Sequence, residues 1–338
     1  MRDVVLIITS PEEAISVDPV MSIIREKYDE LSVLRVNLDS FLKDRSTVSL
    51  WMEGKISGWQ IEVQQFDNKG TIFVNESNIK SIWYRRASSP KSPNEVADTY
   101  KEFIENEARK TFSSLWSIAS NEISWLNHPD HSFPLEFNKP RQMKVASEIG
   151  LKIPSTLITN NPREAVDCLR KWNGQGIIKV FGGSTVRSKS GGTLISYTKE
   201  VNIEDVFRLS AEVEFCPIFL QENVPKSFEL RITIVGKKIF PCAIYSQSSA
   251  RTKTDWRRFD FDNVPHVIHK LPPEINDQLL RLMDKLNLNF GAIDMIVTPT
   301  GTYVFLEVNP SGQWGWIEHI TKMPISQAIA DFLCRGKT

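Results

Sequence analysis

Apolar and polar positions along the first hundred residues repeat in strand and helix periods. Val4 to Thr9 is a near-continuous apolar run, the pattern of a first strand buried on both faces. A helical stretch follows near Pro19 to Tyr28, then strand signals at Ser32 to Val36, across Ser49 to Val74, and from Ser81 to Arg86. The Ser-Pro stretch from Ser88 to Pro93 predicts a loop or lid. Glu95 to Asn121 predicts a long helix, with Phe103, Ile104 and Ala108 at helical spacing. His128 to Pro134 is read as turn-rich, and a second unit starts at Asn138.

In that second unit, NKPRQMKVASEIGLKIPST predicts a helix from Asn138 to Gly150 that leads through Pro154 into a strand. Lys139 falls in its first turn, where the helix dipole opposes a cation unless a phosphate is bound. The alternative is a solvated surface lysine. Gly176 to Val180 is a short apolar strand interrupted by Lys179, a residue at a sheet edge or a charge held for an anion. The segment GGSTVRSKSGG follows, from Gly182 to Gly192. Its glycine pairs let backbone amides approach phosphate oxygens and can hinge a flap, although a mobile hairpin tip would read the same way. It is neither the phosphate loop ending in Gly-Lys-Ser/Thr nor a dinucleotide fingerprint.

Ile218 to Asn223 predicts a strand ending in Gln221, Glu222 and Asn223, ahead of Val224. Such an end can pair its backbone with the edge of a base. Phe228 to Val235 alternates so that Glu229 and Arg231 share a face. The guanidinium can hold a phosphate there, or form one rung of a surface ladder.

GAIDMIVTPTGTYVFLEVNPSGQWGWIE predicts a hairpin. Ile293, Met295 and Val297 would share one face of its first strand, and Val304, Leu306 and Val308 one face of the second. A turn over Thr298 to Gly301 pairs Val297 with Thr302 and Asp294 with Phe305. Asp294 would then lie diagonal to Glu307 at about 7–8 Å, with Asn309 on the same polar face. Three hard oxygen donors so placed suit magnesium on phosphates.

Composition narrows the picture. With 338 residues the chain is long enough for two or three domains, and 41 basic residues balance 41 acidic ones, so bulk charge gives no argument for nucleic acid or an anionic membrane. Val4 to Ile8 is too short to span a bilayer, and no membrane or nucleic-acid partner is expected. Cys168, Cys216, Cys242 and Cys334 are widely separated, which suits a reducing cytoplasm. His128 and His131 lack further ligands nearby and are not expected to bind metal.

Two lysines, a glycine flap, a hinge carboxylate, an arginine strand and an Asp, Glu, Asn set, in that order from Asn138 to Glu318, resemble an ATP-grasp ligase. FLEVNPSGQWGWIE, the strand SIWYRR and the segment TDWRR resemble the peptide ligases of microviridin and related graspetide (omega-ester-containing peptide) pathways. One departure is that Val-Phe-Gly-Gly follows the second lysine and that Arg187 and Lys189 add a basic pair to the flap. The resemblance implies an α/β (α+β) protein: an N-terminal pre-ATP-grasp domain (1–132), a central ATP-grasp subdomain with the flap (133–220) and a C-terminal subdomain with the metal site (221–338), the last two clamping ATP.

It also implies roles. Lys139, Lys179, Gly182, Gly183 and Ser184 would contact ATP phosphates. Gln221, Glu222, Asn223 and Val224 would frame adenine, and Glu229 would reach ribose or the acceptor. Arg231 and Lys179 would act on the transferred phosphoryl group. Asp294, Glu307 and Asn309 would hold two magnesium ions. The substrate would be a ribosomal precursor peptide with a leader and an acidic, Thr-containing core, met by Arg85, Arg86, Arg257, Arg258, Trp256, Trp314 and Trp316, with Arg251 and Lys253 as further basic candidates; the alternative is that the tryptophans belong to the core and the arginines are solvated. An Asp or Glu activated as an acyl phosphate would be closed to an ester by Thr or Ser, or to an amide if an amine attacks. Related enzymes imply a homodimer.

Overall fold

β1 (Val4–Thr9) is buried along its whole length. Val5 and Ile7 pack toward one layer, and Val4, Leu6 and Ile8 toward another. Full burial of each such side chain contributes about 1.5–3 kcal/mol. The computed structural model describes residues 3–64, 71–119, 122–181, 185–187, 193–195 and 197–336.

In chain order β1 is followed by α1 (Ala14–Lys27), β2 (Ser32–Asn37), the single turn α2 (Leu38–Phe41), β3 (Thr47–Glu53), β4 (Ile56–Gln64), β5 (Thr71–Asn75), β6 (Ile79–Tyr84), α3 (Asp98–Ile118), β7 (Ser124–Trp125) and α4 (Pro129–Glu136). The parallel sheet β2-β1-β6-β7 is covered on one face by α1 and on the other by α3 and the antiparallel meander β3-β4-β5. The helix expected from Glu95 to Asn121 is α3, which buries Phe112, Leu115 and Trp116 and leaves Phe103 64% exposed, because only its second half lies over the core. One expectation is corrected here. The segment expected as turns from His128 is the helix α4, started by Pro129 at its first position and by a His128 side chain that accepts from Asp130 N.

α5 (Lys139–Glu148) begins after Asn138, whose side chain accepts from Arg141 N. Next come β8 (Thr156–Thr159), α6 (Pro162–Lys171), β9 (Gln175–Lys179), the hairpin β10 (Thr185–Arg187) and β11 (Thr193–Ile195), β12 (Lys199–Asn202), α7 (Ile203–Arg208), α8 (Ser210–Phe215) and β13 (Ile218–Glu222). They form the antiparallel sheet β12-β9-β13-β8 on a small core of Ala165, Leu169, Val206 and Leu220. Gly176 is needed where β9 meets β13, since a Cβ there would stand 2.8 Å from Leu169 Cδ2 and 3.0 Å from Gln221 O.

The last part holds β14 (Phe228–Val235), β15 (Lys238–Ile244), β16 (His266–Ile268), α9 (Pro273–Lys285), β17 (Phe290–Val297), β18 (Tyr303–Asn309), α10 (Gly315–Thr321) and α11 (Ile325–Arg335). Its sheet runs β16-β15-β14-β17-β18. One face, with Leu230, Ile232, Ile293 and Met295, packs on α5 and α9. The other carries Glu229, Arg231 and Asp294. α11 then crosses back to the first sheet, where it packs beside α1 and β6: Ser81 Oγ donates to Leu333 O at 2.6 Å and Tyr28 Oη to Asp331 Oδ1 at 2.7 Å. Among the described residues no helix is long and apolar enough to cross a membrane.

Candidate active site

Arg231 on β14 pairs directly with Asp294 on β17, and Asp294 with Glu307 on β18. Residues opposite one another on antiparallel strands present their side chains on one face, so the three form a row across the sheet. The expected register is thereby corrected. Val297 pairs with Tyr303 and Met295 with Phe305, and Leu306 is an extra residue between that pair and the Asp294–Glu307 pair. This bulge changes the parity of β18. Phe305 and Val308, rather than Val304, Leu306 and Val308, face the α5 and α9 core, while Leu306 and Glu307 both reach the cleft above the row. The two carboxylates are direct neighbours instead of a diagonal pair.

Arg231 Nη1 lies 2.9 and 3.0 Å from the two Asp294 oxygens. Lys139, the first residue of α5, reaches Glu307 Oε2 at 3.1 Å and donates to Val180 O at 3.2 Å. Burial pushes the Asp294 carboxyl up to about 6, with Arg231 opposing and the Glu307 charge adding to the rise. Burial acts the same way on Glu307, but Lys139, Lys179 and Arg257 together hold its carboxyl below the ordinary value. Lys179, enclosed by protein yet open to the cleft, is drawn down to about 8 by burial, against the pull of Glu307. These charges are mutually dependent in a low-dielectric setting.

Two clefts meet at this row. The first is lined by Lys139, Lys179, Gln221, Glu222, Asn223, Val224 and Glu229, with Ile296 and Leu306 as apolar surface. The second is lined by Arg86, Glu136, Arg231, Asn309, Phe259 and Trp316. Asp294, Glu307, Trp256 and Arg257 border both. Glu229 is buried and pairs with Lys226 Nζ at 2.8 Å, and burial raises its carboxyl against the pull of Lys226; by hydrogen-bond geometry its Oε2 finds no partner among the described residues. Gln221 Nε2 donates to Thr156 Oγ1 at 2.9 Å while its Oε1 has no partner among the described residues. Unsatisfied oxygens beside a cleft are expensive to bury and are natural contacts for a ligand's donors.

The comparisons with known proteins follow this geometry. The MvdD pre-ATP-grasp domain family matches residues 4–132. A RiPP-associated ATP-grasp ligase from Chryseobacterium gregarium, solved in complex with ADP and a leader and core peptide, is 29% identical over 98% of this chain and 96% of its own, with a TM-score of 0.86. The macrocyclase MdnC of Microcystis aeruginosa MRC, bound with precursor peptide MdnA, is 32% identical over 98% of this chain and 99% of its own, with a TM-score of 0.80. The macrocyclase MdnB of the same source is 31% identical over 99% and 100%, with a TM-score of 0.75. The chain belongs to the ATP-grasp macrocyclase family. By that membership it is an ATP-dependent ligase with the ATP-grasp fold. A comparison with curated proteins gives no match.

Within this ATP-grasp ligase, two residues expected to meet a peptide are placed elsewhere. Arg85 is 1% exposed: Nε pairs with Glu13 Oε2 at 3.0 Å, Nη1 donates to Ser311 O and Gly312 O at 2.8 and 3.1 Å, and Nη2 to Gln313 Oε1 at 2.8 Å. With all three guanidinium nitrogens engaged and Trp314 beneath it at 4.6 Å, it braces the loop after β18. Trp314 is equally enclosed, against Trp83 and Phe290. Both expectations of peptide contact are corrected: one strand end delivers Arg85 inward and Arg86 outward, and Arg86 borders the second cleft. Trp256 and Trp316 pack 5.4 Å apart at its rim, with Phe259 beside them. Arg258 lies over the Tyr197 ring at 5.2 Å and does not line either cleft. Gly182, Gly183 and Ser184 lie outside the described residues.

Some contributors went unseen in the sequence. Asp255 caps its own turn, accepting from Arg257 N at 3.1 Å and Nη2 at 2.6 Å and from Thr198 N at 3.1 Å, and so aims Arg257 at the row. The Asp two residues before Arg257 was the available signal. Gln142 clamps β18, with Oε1 accepting from Val308 N and Nε2 donating to Val308 O and Leu135 O. Gly312 admits close packing, since a Cβ there would stand 2.3 Å from Ala292 Cβ and 2.8 Å from Arg231 Nη2.

The donor set fits magnesium. Asp294 and Glu307 supply carboxylate oxygens, Asn309 an amide oxygen, and all three border the second cleft. Among the described residues no three His, Cys, Asp or Glu side chains gather for a metal. A site here would therefore draw on substrate oxygens and water as well, as magnesium commonly does.

Proposed function

We propose that this ligase is a macrocyclase of a ribosomally made precursor peptide. It would activate an Asp or Glu side chain as an acyl phosphate at the expense of ATP and close it onto a Thr or Ser hydroxyl as an omega-ester, releasing ADP and phosphate. The observation that carries the reading is the junction of two clefts at Asp294 and Glu307, one suited to a nucleotide and one rimmed by Arg86, Arg257 and tryptophans for an acidic peptide. The Chryseobacterium relative solved with ADP, leader and core, and the Microcystis macrocyclase solved with its precursor, support it.

In this reading Lys139 and Lys179 hold phosphate oxygens, and Glu222, Asn223 and Val224 border the adenine over Ile296 and Leu306. Magnesium at Asp294, Glu307 and Asn309, two ions in the full proposal, would neutralise charge on the phosphates. Arg231 would steady the transferred phosphoryl group and then the acyl phosphate. Phosphoryl transfer needs positioning and charge neutralisation more than covalent catalysis, which is what two lysines and two arginines on a buried row supply. Exclusion of water by the glycine segment would protect the activated acid. A homodimer and a cytoplasmic setting complete the proposal, the latter in keeping with four free cysteines.

The test is direct. Enzyme, ATP, magnesium and the short Thr- and acid-containing peptide encoded beside it should yield products lighter by one water per ring. Unchanged peptide mass with intact ATP would refute the reading. Amide closure by an amine would lose the same water, and resistance of the product to mild base would reveal it.

A further inference from the structure

We infer that Glu136 is the catalytic base of ring closure, the group that takes the proton from the attacking hydroxyl; the inference rests on the macrocyclase reading. The chemistry requires such a group. The hydroxyl oxygen bonds to the acyl carbon, the bond from that carbon to the phosphate oxygen breaks, phosphate departs with the electron pair, and the hydroxyl proton passes to a base.

The second cleft is bordered by Asp294, Glu307 and Glu136 as its carboxylates. Asp294 is held by Arg231 and Glu307 by Lys139, and both carry the proposed metal role where the two clefts meet. Among the described residues Glu136 makes no hydrogen bond or ion pair. It is also the last residue of α4, where a carboxylate opposes the helix dipole and so does not serve the helix.

Its position is fixed by the ligand strand itself. Gln142 Nε2 donates to Leu135 O at 2.7 Å and to Val308 O at 2.9 Å, and its Oε1 accepts from Val308 N at 2.9 Å. Val308 lies between Glu307 and Asn309. The residue after Leu135 is therefore tied beside the strand that would hold the reacting phosphate, on the peptide side of it.

The experiment separates the two half-reactions. Purified enzyme and Glu136→Gln are each given ATP, magnesium and the peptide encoded beside the enzyme, with and without hydroxylamine to trap acyl phosphate as hydroxamate. Glu136→Gln should release ADP and form hydroxamate at close to the wild-type rate while ring closure falls on the order of 10²-fold or more. Glu136→Ala should regain part of its ring closure on addition of formate. Ring closure at the wild-type rate in Glu136→Gln overturns the assignment. So does parallel loss of ADP release, hydroxamate and rings in a variant with wild-type circular dichroism, which would place Glu136 in activation. If the wild-type enzyme forms neither hydroxamate nor ring, the macrocyclase reading fails and takes this assignment with it.

Discussion

Arg231 and Asp294 share a single nitrogen between two oxygens: Nη1 serves both carboxylate atoms, and Nε is buried without a partner among the described residues. The guanidinium is thus only partly used, with a donor still to satisfy. Replacing Arg231 with Lys keeps the charge but loses the planar donor set. ADP release and ring closure should fall together on the order of 10²–10³-fold, with the KM for ATP nearly unchanged. Steady-state kinetics checks this, and a rise in KM alone would point to simple nucleotide binding.

Asp294 and Glu307 carry the proposed metal role. Asp294→Asn and Glu307→Gln should each abolish turnover, and magnesium should no longer tighten ADP binding, while precursor binding read by fluorescence anisotropy stays intact. Chelation by EDTA should stop the parent enzyme, and added magnesium should restore it.

Lys179 gives a pH signature. Its pKa near 8 in the free protein would be raised by bound phosphates, so binding above about pH 8 must take up a proton. Affinity for ATP should be flat below that pH from this group. Above it, affinity should weaken about tenfold per pH unit until the bound-state pKa is reached. Titration calorimetry in buffers of different ionisation enthalpy measures the uptake, and Lys179→Met should remove it.

Arg85 and Glu13 form a pair with side chains 2% and 8% exposed. Arg85→Met leaves Glu13 buried opposite only Arg86 and Gln313, and should cost about 3–5 kcal/mol in chemical denaturation. Arg85→Met combined with Glu13→Gln should recover part of that loss. Equal loss in the single and double variants would show that packing, not charge, is the cause.

Gly312→Ala puts a methyl against Ala292 and the Arg231 guanidinium. Overpacking of this kind costs about 1–3 kcal/mol. The variant should keep ATP affinity but lose ring-closing activity, because the side chain displaced is Arg231.

Much of the lining of the first cleft was legible as elements in the sequence because its signals are local. Lys139 follows a capping Asn and Lys179 interrupts a short apolar strand. The Asp294 to Asn309 hairpin was readable as a hairpin, and its acidic residues do share a face. The Leu306 bulge was not, since apolar residues at 304, 305, 306 and 308 satisfy either parity and only the core contacts of Phe305 choose between them. Arg85 was misread for a different reason. Two adjacent arginines look alike in sequence, and the carbonyls of Ser311 and Gly312 that claim the first lie more than two hundred positions away. Nothing in the spacing foretold that α11 would return to β6.

That return means the opening sheet lacks one wall until Ile325–Arg335 is in place. Cutting the chain before Ile325 would leave Val5, Ile7 and Trp83 facing water on that side and would loosen the helix α1 that shares the layer. The leading domain therefore should not be expected to fold as an isolated fragment, and on the ribosome its completion would wait until α11 has emerged.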